Sequence, residues 1–207
     1  MIKYLFIIIL LLSSCSPSEE DKSSKKNSDN NIEISNEIKS IIVGNKDAKT
    51  RMIVFESLTC SHCANFHKNI YPKLKEDFID KGLISIEFKS FPLDIIAFNA
   101  TKLAHCKNDG GHEILHHLYL NQDKWIKGKN ELEANQAMKK FIDNTEYNLD
   151  FDKCLADKKI EDHILEDRIE GVKKYKVSAT PTVIINGKKF ENHSNYKKLK
   201  KYIEKLI

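Results

Sequence analysis

Residues 52–63 read MIVFESLTCSHC: a short apolar run that passes within a few residues into two cysteines separated by serine and histidine. Met52 to Phe55 is continuous, apolar and β-branched in part, and Ser57 and Thr59 follow it. That is the pattern of a short strand buried on both faces. From Cys63 onward Phe66, Ile70, Leu74 and Phe78 recur at spacings of three and four. This is the apolar stripe of a helix packed on a sheet, with Pro72 as an expected kink and Gly82 as its stop. Cys60 therefore stands where a strand hands over to a helix. There it faces unpaired backbone N–H groups and the positive end of the helix dipole, which both favour thiolate over thiol. The placement predicts an acidic, nucleophilic Cys60. Cys63, one turn deeper, can resolve a mixed disulfide at Cys60 by intramolecular attack. His62 adds a ring that can be cationic near neutrality and stabilise the thiolate further. The rival chemistry is zinc, for which Cys-x-x-Cys is half a site and two further ligands are needed. His67 is the only candidate nearby, and a packed or solvated ring is its alternative.

Working outward, Leu83 to Phe88 alternates Ile84, Ile86 and Phe88 inward against Ser85 and Glu87, a second strand that a β-α-β connection makes parallel to the first. Between Asp94 and about Asp167 the strand signal gives way to helical patterns at Ala100–Cys106, His112–Leu120, Glu131–Phe141 and Asp150–Leu155. Then Thr182–Ile185 and Lys188–Glu191 flank Asn186-Gly187, the strongest two-residue signal for a type I′ hairpin. A closing helix follows, with Tyr196, Leu199, Ile203 and Leu206 on one face. The order β, α, β, helical block, β-hairpin, α defines an α/β fold interrupted once by an all-helical insertion.

The 207 residues suit one domain with an insertion, and 41% hydrophobic and 31% charged residues exclude a disordered chain, a collagen-like fibre and a polytopic membrane protein. The net charge of +4 is spread along the chain, so nucleic acid is not an expected partner. At the N-terminus Lys3, an apolar run from Tyr4 to Leu12 and small residues have the layout of a secretory signal. Nine apolar residues are too few for a membrane-spanning helix, which needs about 20. Leu12-Ser13-Ser14-Cys15 resembles the bacterial lipobox, in which cleavage before the cysteine leaves a thiol that is diacylated. An ordinary signal peptide with Cys15 removed is the alternative. Either form sends the protein out of the cytoplasm. Residues 16–31, SPSEEDKSSKKNSDNN, have no apolar face and read as a polar tether. The expected organisation is a signal over residues 1–14, a lipid-anchored tether over 15–37, a sheet domain over 38–93 and 168–207, and the helical insertion over 94–167.

The block LTCSHCANFH at 58–67 and SATPTVIING at 178–187, with the insertion between them, are together similar to the thioredoxin superfamily and its DsbA-like branch. The resemblance covers nearly everything from Ile38 to Ile207. It implies a thioredoxin fold and an exported thiol:disulfide oxidoreductase. Such an enzyme passes its disulfide to newly secreted, unfolded proteins with free thiols and is reoxidised by a membrane redox partner, in the periplasm. It needs no metal or organic cofactor. By position, Cys60 would be the exposed nucleophile and Cys63 the buried partner. Pro181 would follow a cis bond that turns the Thr180 backbone toward an extended substrate segment. Three positions depart from the pattern. Ser61-His62 stands where the best-known relatives have Pro-His. Val54 stands where the superfamily often has a buried acid, and Glu56 on the same strand face is the candidate substitute. Thr180 precedes the proline in oxidases and isomerases alike, so isomerase or reductase activity stays open, as does a non-catalytic thioredoxin-like binding module.

With Cys60 and Cys63 assigned to the site, the three pairings open to four cysteines leave Cys106 with Cys154. In an oxidising compartment these are expected to be joined; two buried free thiols are the alternative. One further motif, His112-Glu113-Ile114-Leu115-His116, matches H-E-x-x-H, in which two histidines bind zinc. No third ligand stands out downstream, so His116 and His117 are expected to line the groove or the surface. The surface beside Cys60 is expected to be mildly apolar, with Leu58, Thr59 and Phe91 as candidates.

Overall fold

The computed structural model describes residues 37–207. The signal, Cys15 and the tether up to residue 36 lie outside these residues. Five strands form one sheet in the order β1-β3-β2-β4-β5. They are β1 (Ile41–Gly44), β2 (Thr50–Glu56), β3 (Ile84–Ser90), β4 (Thr182–Ile185) and β5 (Lys188–Phe190). β2 runs parallel to β3 and antiparallel to β4, and β1 and β5 close the edges antiparallel to their neighbours. Among the described residues no helix is long and apolar enough to cross a membrane.

Strand β2 is apolar from Met52 to Phe55 because both of its faces are covered there. Met52 and Val54 join the main core with Ile84, Ile86, Phe88, Val183 and Ile185. On the other face Phe55 packs with Phe91, Val177 and Ile184. Each such fully buried side chain stabilises the fold by about 1.5–3 kcal/mol. The hairpin joining β4 to β5 turns on Asn186 and Gly187, both with positive φ (47° and 79°), as a type I′ turn requires.

Between β2 and β3 the chain forms one rod of four short pieces: α1 (Ser61–Asn65), a π-helical turn (Phe66–Ile70), α2 (Tyr71–Leu74) and a second π turn (Lys75–Ile79). Pro72 has no N–H to donate and sits in the first turn of α2, so the α ladder is interrupted where the sequence places the kink. Past the rod Gly82 takes φ +68° and the Leu83 N–H reaches back to the Phe78 carbonyl, 3.0 Å away.

The helical block holds α3 (Ile95–His105), α4 (Glu113–Leu120), α5 (Gln122–Trp125), α6 (Glu131–Asp143), α7 (Phe151–Ala156) and α8 (Lys158–Tyr175); α9 (Tyr196–Ile203) closes the fold. Two elements depart from expectation. Strand β1 has only Ile41, Ile42 and Val43 to mark it, too short a run to stand out as a strand. The longest helix, α8, has the buried stripe Ile160, Ile164, Asp167 and Gly171 at helical spacing, with an acid and a glycine in place of two apolar residues. Asp167 is there to receive Lys89 Nζ (2.7 Å) and the Ser90 N–H (2.9 Å). Gly171 is there because a Cβ would meet the rings of Phe55 and Phe91 at 3.0–3.1 Å. The expected end of the insertion at 167 thus falls inside α8, which runs on to Tyr175 along the face of Phe55.

Candidate active site

The turn from β2 into the rod is fixed from three sides. The Leu93 N–H donates to Ser57 Oγ (3.2 Å), and the Thr59 hydroxyl donates to Asp94 Oδ2 (2.6 Å). Asp94 also caps α3, its Oδ1 accepting the Ala97 N–H at 2.8 Å. From the helical block, Gln122 Nε2 donates to the carbonyls of Leu58 (2.7 Å) and Cys60 (3.1 Å). Asp94 and Gln122 were not foreseen as positioning residues. Nothing local marks them, because their partners lie 35 and more than 60 positions away.

Cys60 is the N-cap of α1 with an extended backbone, and it is partly exposed, whereas Cys63 is fully buried one turn deeper. The Cys60 thiol donates to the Thr180 carbonyl across 3.3 Å. Its pKa is lowered to about 5, first by the hydrogen bond from the Cys63 thiol and then by the Thr180 side chain and the backbone N–H groups of Cys63 and His62, against its partial burial. Burial pushes the Cys63 thiol far up, with the hydrogen bond to Cys60 and the charges of Glu56 and Cys60 adding to it. Two neighbouring sulfurs thus hold opposite protonation states: an exposed nucleophilic thiolate and a buried thiol.

Thr180-Pro181 is a cis peptide and faces the cysteines. Beside it a groove lined by His62, Phe66, Ile70, Ala179, Pro181 and His193 opens next to Cys60. His62 acts on Cys60 through its backbone N–H, and its exposed ring lines this groove. The apolar surface beside the site is not where it was expected. Leu58 and Phe91 are buried, the apolar side of the groove is formed by Phe66, Ile70, Ala179 and Pro181, and Leu93 and Ile95 are exposed on either side of the Asp94 that holds Thr59.

Behind the cysteines lies a polar cluster. Glu56 is only 4% exposed, and its Oε2 sits 2.9 Å from His67 Nε2, with His67 fully buried. His67 Nδ1 lies 3.1 Å from His116 Nδ1, and the Tyr119 ring stacks on His67 at 4.1 Å between centroids. Burial lowers His67 to about 3 and His116 to about 4, and raises Glu56 well above the ordinary carboxyl value. His116 is turned toward His67, while His112, the other histidine of the H-E-x-x-H match, stands at the N-cap position of α4 without a side-chain cap bond, its ring centroid 6.2 Å from that of His116.

Cys106 and Cys154 form a disulfide inside the helical block, with Cα atoms 5.4 Å apart, joining the end of α3 to α7.

Residues 36–205 match the thioredoxin family. Over 158 residues, 74% of this chain, the sequence is 33% identical to a Rickettsia bellii protein named as a protein-disulfide oxidoreductase. The aligned part is 60% of that relative's length. A disulfide bond formation protein D from Bacillus anthracis is 29% identical over 80% of this chain and 77% of its own. Among solved structures, α-DsbA1 of Wolbachia pipientis superposes with a TM-score of 0.64 at 29% identity, covering 81% of this chain and 90% of that one.

Proposed function

Because the chain belongs to the thioredoxin family, in its DsbA-like branch of thiol–disulfide oxidoreductases, we propose that it is an exported enzyme that introduces disulfide bonds into newly secreted proteins. The observation that carries this reading is the opposed pair of sulfurs: Cys60 acidic and accessible, Cys63 buried and protonated. A substrate thiolate attacks Cys60 of the Cys60–Cys63 disulfide. The sulfur–sulfur bond breaks and its electron pair goes to Cys63. A second substrate thiolate then attacks the substrate sulfur, closes the substrate's disulfide and releases Cys60 as a thiolate. A stable Cys60 thiolate is a good leaving group and favours the reduced enzyme, so the disulfide is oxidising. The Thr180 backbone and the apolar groove beside Pro181 suit an extended, unfolded chain. The partners are secreted proteins with free thiols and a membrane redox protein that restores the Cys60–Cys63 disulfide. Lys3, the run from Tyr4 to Leu12 and Cys15 support delivery to the periplasm and a lipid anchor at Cys15.

The test is equilibration of the protein with a glutathione redox series, following the Cys60–Cys63 pair. A potential near about −120 mV supports disulfide donation. One near about −270 mV assigns a reductase, and absence of exchange leaves a binding module.

A further inference from the structure

Helix α8 carries two apolar rows, and only one of them is covered. Positions 160, 164, 167 and 171 are buried. Turned about 100° from them round the helix stand Leu165, Ile169 and Val172, spaced by four and three and 42%, 50% and 47% exposed. No other described helix carries more than one exposed large apolar side chain. Such side chains scattered singly need no explanation, but three on one face with a charged rim mark a contact surface. We propose that this face of α8 pairs with the same face of a second copy of the chain, the two helices running antiparallel about a two-fold axis at Ile169.

The charges on the rim select that occupant. On one flank of the row stand Asp162 and Glu166 toward the helix start and Lys173 toward its end, with Lys176 just beyond, all exposed. The ion pairs that α8 makes within the chain take Lys158, Glu161, Asp167, Glu170 and Lys174. They leave those four charges without an ion pair among the described residues. In a two-fold antiparallel pair each flank meets its own copy with the direction reversed, so the acidic half of one helix lies along the basic end of the other. With Ile169 on the axis, Lys173 comes beside Glu166 of the second copy and Lys176 beside Asp162. Ile169 meets itself, and Leu165 meets the second Val172. A parallel pairing would set acid against acid and lysine against lysine, and would align the helix dipoles unfavourably. An anionic lipid surface would be repelled by Asp162 and Glu166. The face is therefore complementary to itself in one orientation only.

The far flank extends the surface toward the active-site turn. Arg168 donates to the Pro92 carbonyl and holds its guanidinium 4.7 Å from the centre of the Phe91 ring. That ties to α8 the segment in which Leu93 and Ile95 are 53% and 49% exposed. Pairing still leaves the chemistry open. None of the residues lining the groove beside Cys60 belongs to α8, which packs on the Phe55 side of β2, whereas the groove takes Phe66 and Ile70 from the rod. The proposed dimer thus presents two independent Cys60 sites, each with its own groove.

The experiment is sedimentation velocity of the full chain across about 1–100 μM, with three variants run beside it. A dimer that forms within this range is expected. Ile169→Lys places two ammonium groups at the axis and is expected to raise the dissociation constant on the order of 100-fold. Lys173→Glu turns two attractive contacts into repulsive ones and is expected to raise it about 10-fold at low salt, with the deficit shrinking as salt is added. Adding Glu166→Lys to Lys173→Glu restores the attraction with the signs exchanged, and is expected to bring the dimer back to within about 2-fold. Glutathione capture at Cys60 within about 2-fold of the unmodified rate shows that Ile169→Lys is folded, since position 169 is exposed and remote from the groove. A full chain that is monomeric at every concentration leaves the face to a different protein and overturns the pairing. Association that survives Ile169→Lys lies elsewhere, the N-terminal segment included, and overturns it as well. A weakened Lys173→Glu that Glu166→Lys does not restore overturns the antiparallel arrangement.

Discussion

Cys60 and Cys63 stand one helical turn apart, and the turn between them separates a half-exposed thiolate from a buried thiol. The depression of Cys60 begins with the Cys63 thiol, which donates to it, so Cys63→Ala should raise the Cys60 pKa from about 5 toward the ordinary thiol value of about 8.5. His62→Ala keeps the backbone N–H through which residue 62 acts and should preserve most of the depression. Thiolate absorbance followed through a pH titration distinguishes the two. The same shift links to stability. The Cys60 pKa is lower in the folded reduced protein than in the unfolded chain, so its contribution is fully present above about 8.5 and is lost as pH falls toward 5. The oxidised protein has no such group. Reduced protein should therefore gain in melting temperature over oxidised protein as pH rises across that window; a constant difference would mean that Cys60 is not acidic. At this scale the chemistry was legible, because a strand running into Cys-x-x-Cys at a helix start needs no distant partner to be understood. Glu56 and His67 were visible as residues but not as a pair, since which side of the π turn faces β2 depends on where Pro72 widens the helix.

At the scale of elements, sequence periodicity found the strands and helices whose buried positions are apolar, and missed those whose buried positions do another task. Helix α8 keeps its stripe at 160, 164, 167 and 171, but Asp167 serves Lys89 and Ser90 on β3, and Gly171 makes room for Phe55 and Phe91. The helix rides close on the sheet directly behind β2, so its position helps set the strand that ends in the active-site turn. Gly171→Ala inserts a methyl group where aromatic carbons already stand at 3.0–3.1 Å, tighter than ordinary contact. Alanine favours helix over glycine by about 1 kcal/mol, whereas overpacking costs about 1–3 kcal/mol. Net destabilisation of up to about 2 kcal/mol is expected in urea unfolding, with the slope unchanged. A gain in stability would show that the rings give way freely and that α8 is not held at this distance.

The whole molecule joins a sheet that carries the cysteines to a helical block that supplies Gln122 to the turn holding them and His116 to His67 behind that turn. The order of elements disclosed that division, but not the inward reach of the block, because contacts between segments more than 45 residues apart leave no local pattern. Within the block, the disulfide between Cys106 and Cys154, 48 positions apart, joins the C-terminal end of α3 to α7. Closing a loop of that length lowers the entropy of the unfolded chain by an amount worth about 4 kcal/mol in the chain-entropy model. The bridge ties α3 to α7, whereas the active-site turn is held by Asp94 at the other end of α3 and by Gln122 on α5. Replacing both cysteines by alanine should therefore lower the melting temperature of the oxidised protein by about 8–16 °C for a domain of this size, while glutathione capture at Cys60 keeps its rate within about 2-fold. A capture rate that falls along with stability would mean that the bridge holds the site through α3, and that the helical block positions Cys60 as a unit rather than through Asp94 and Gln122 alone.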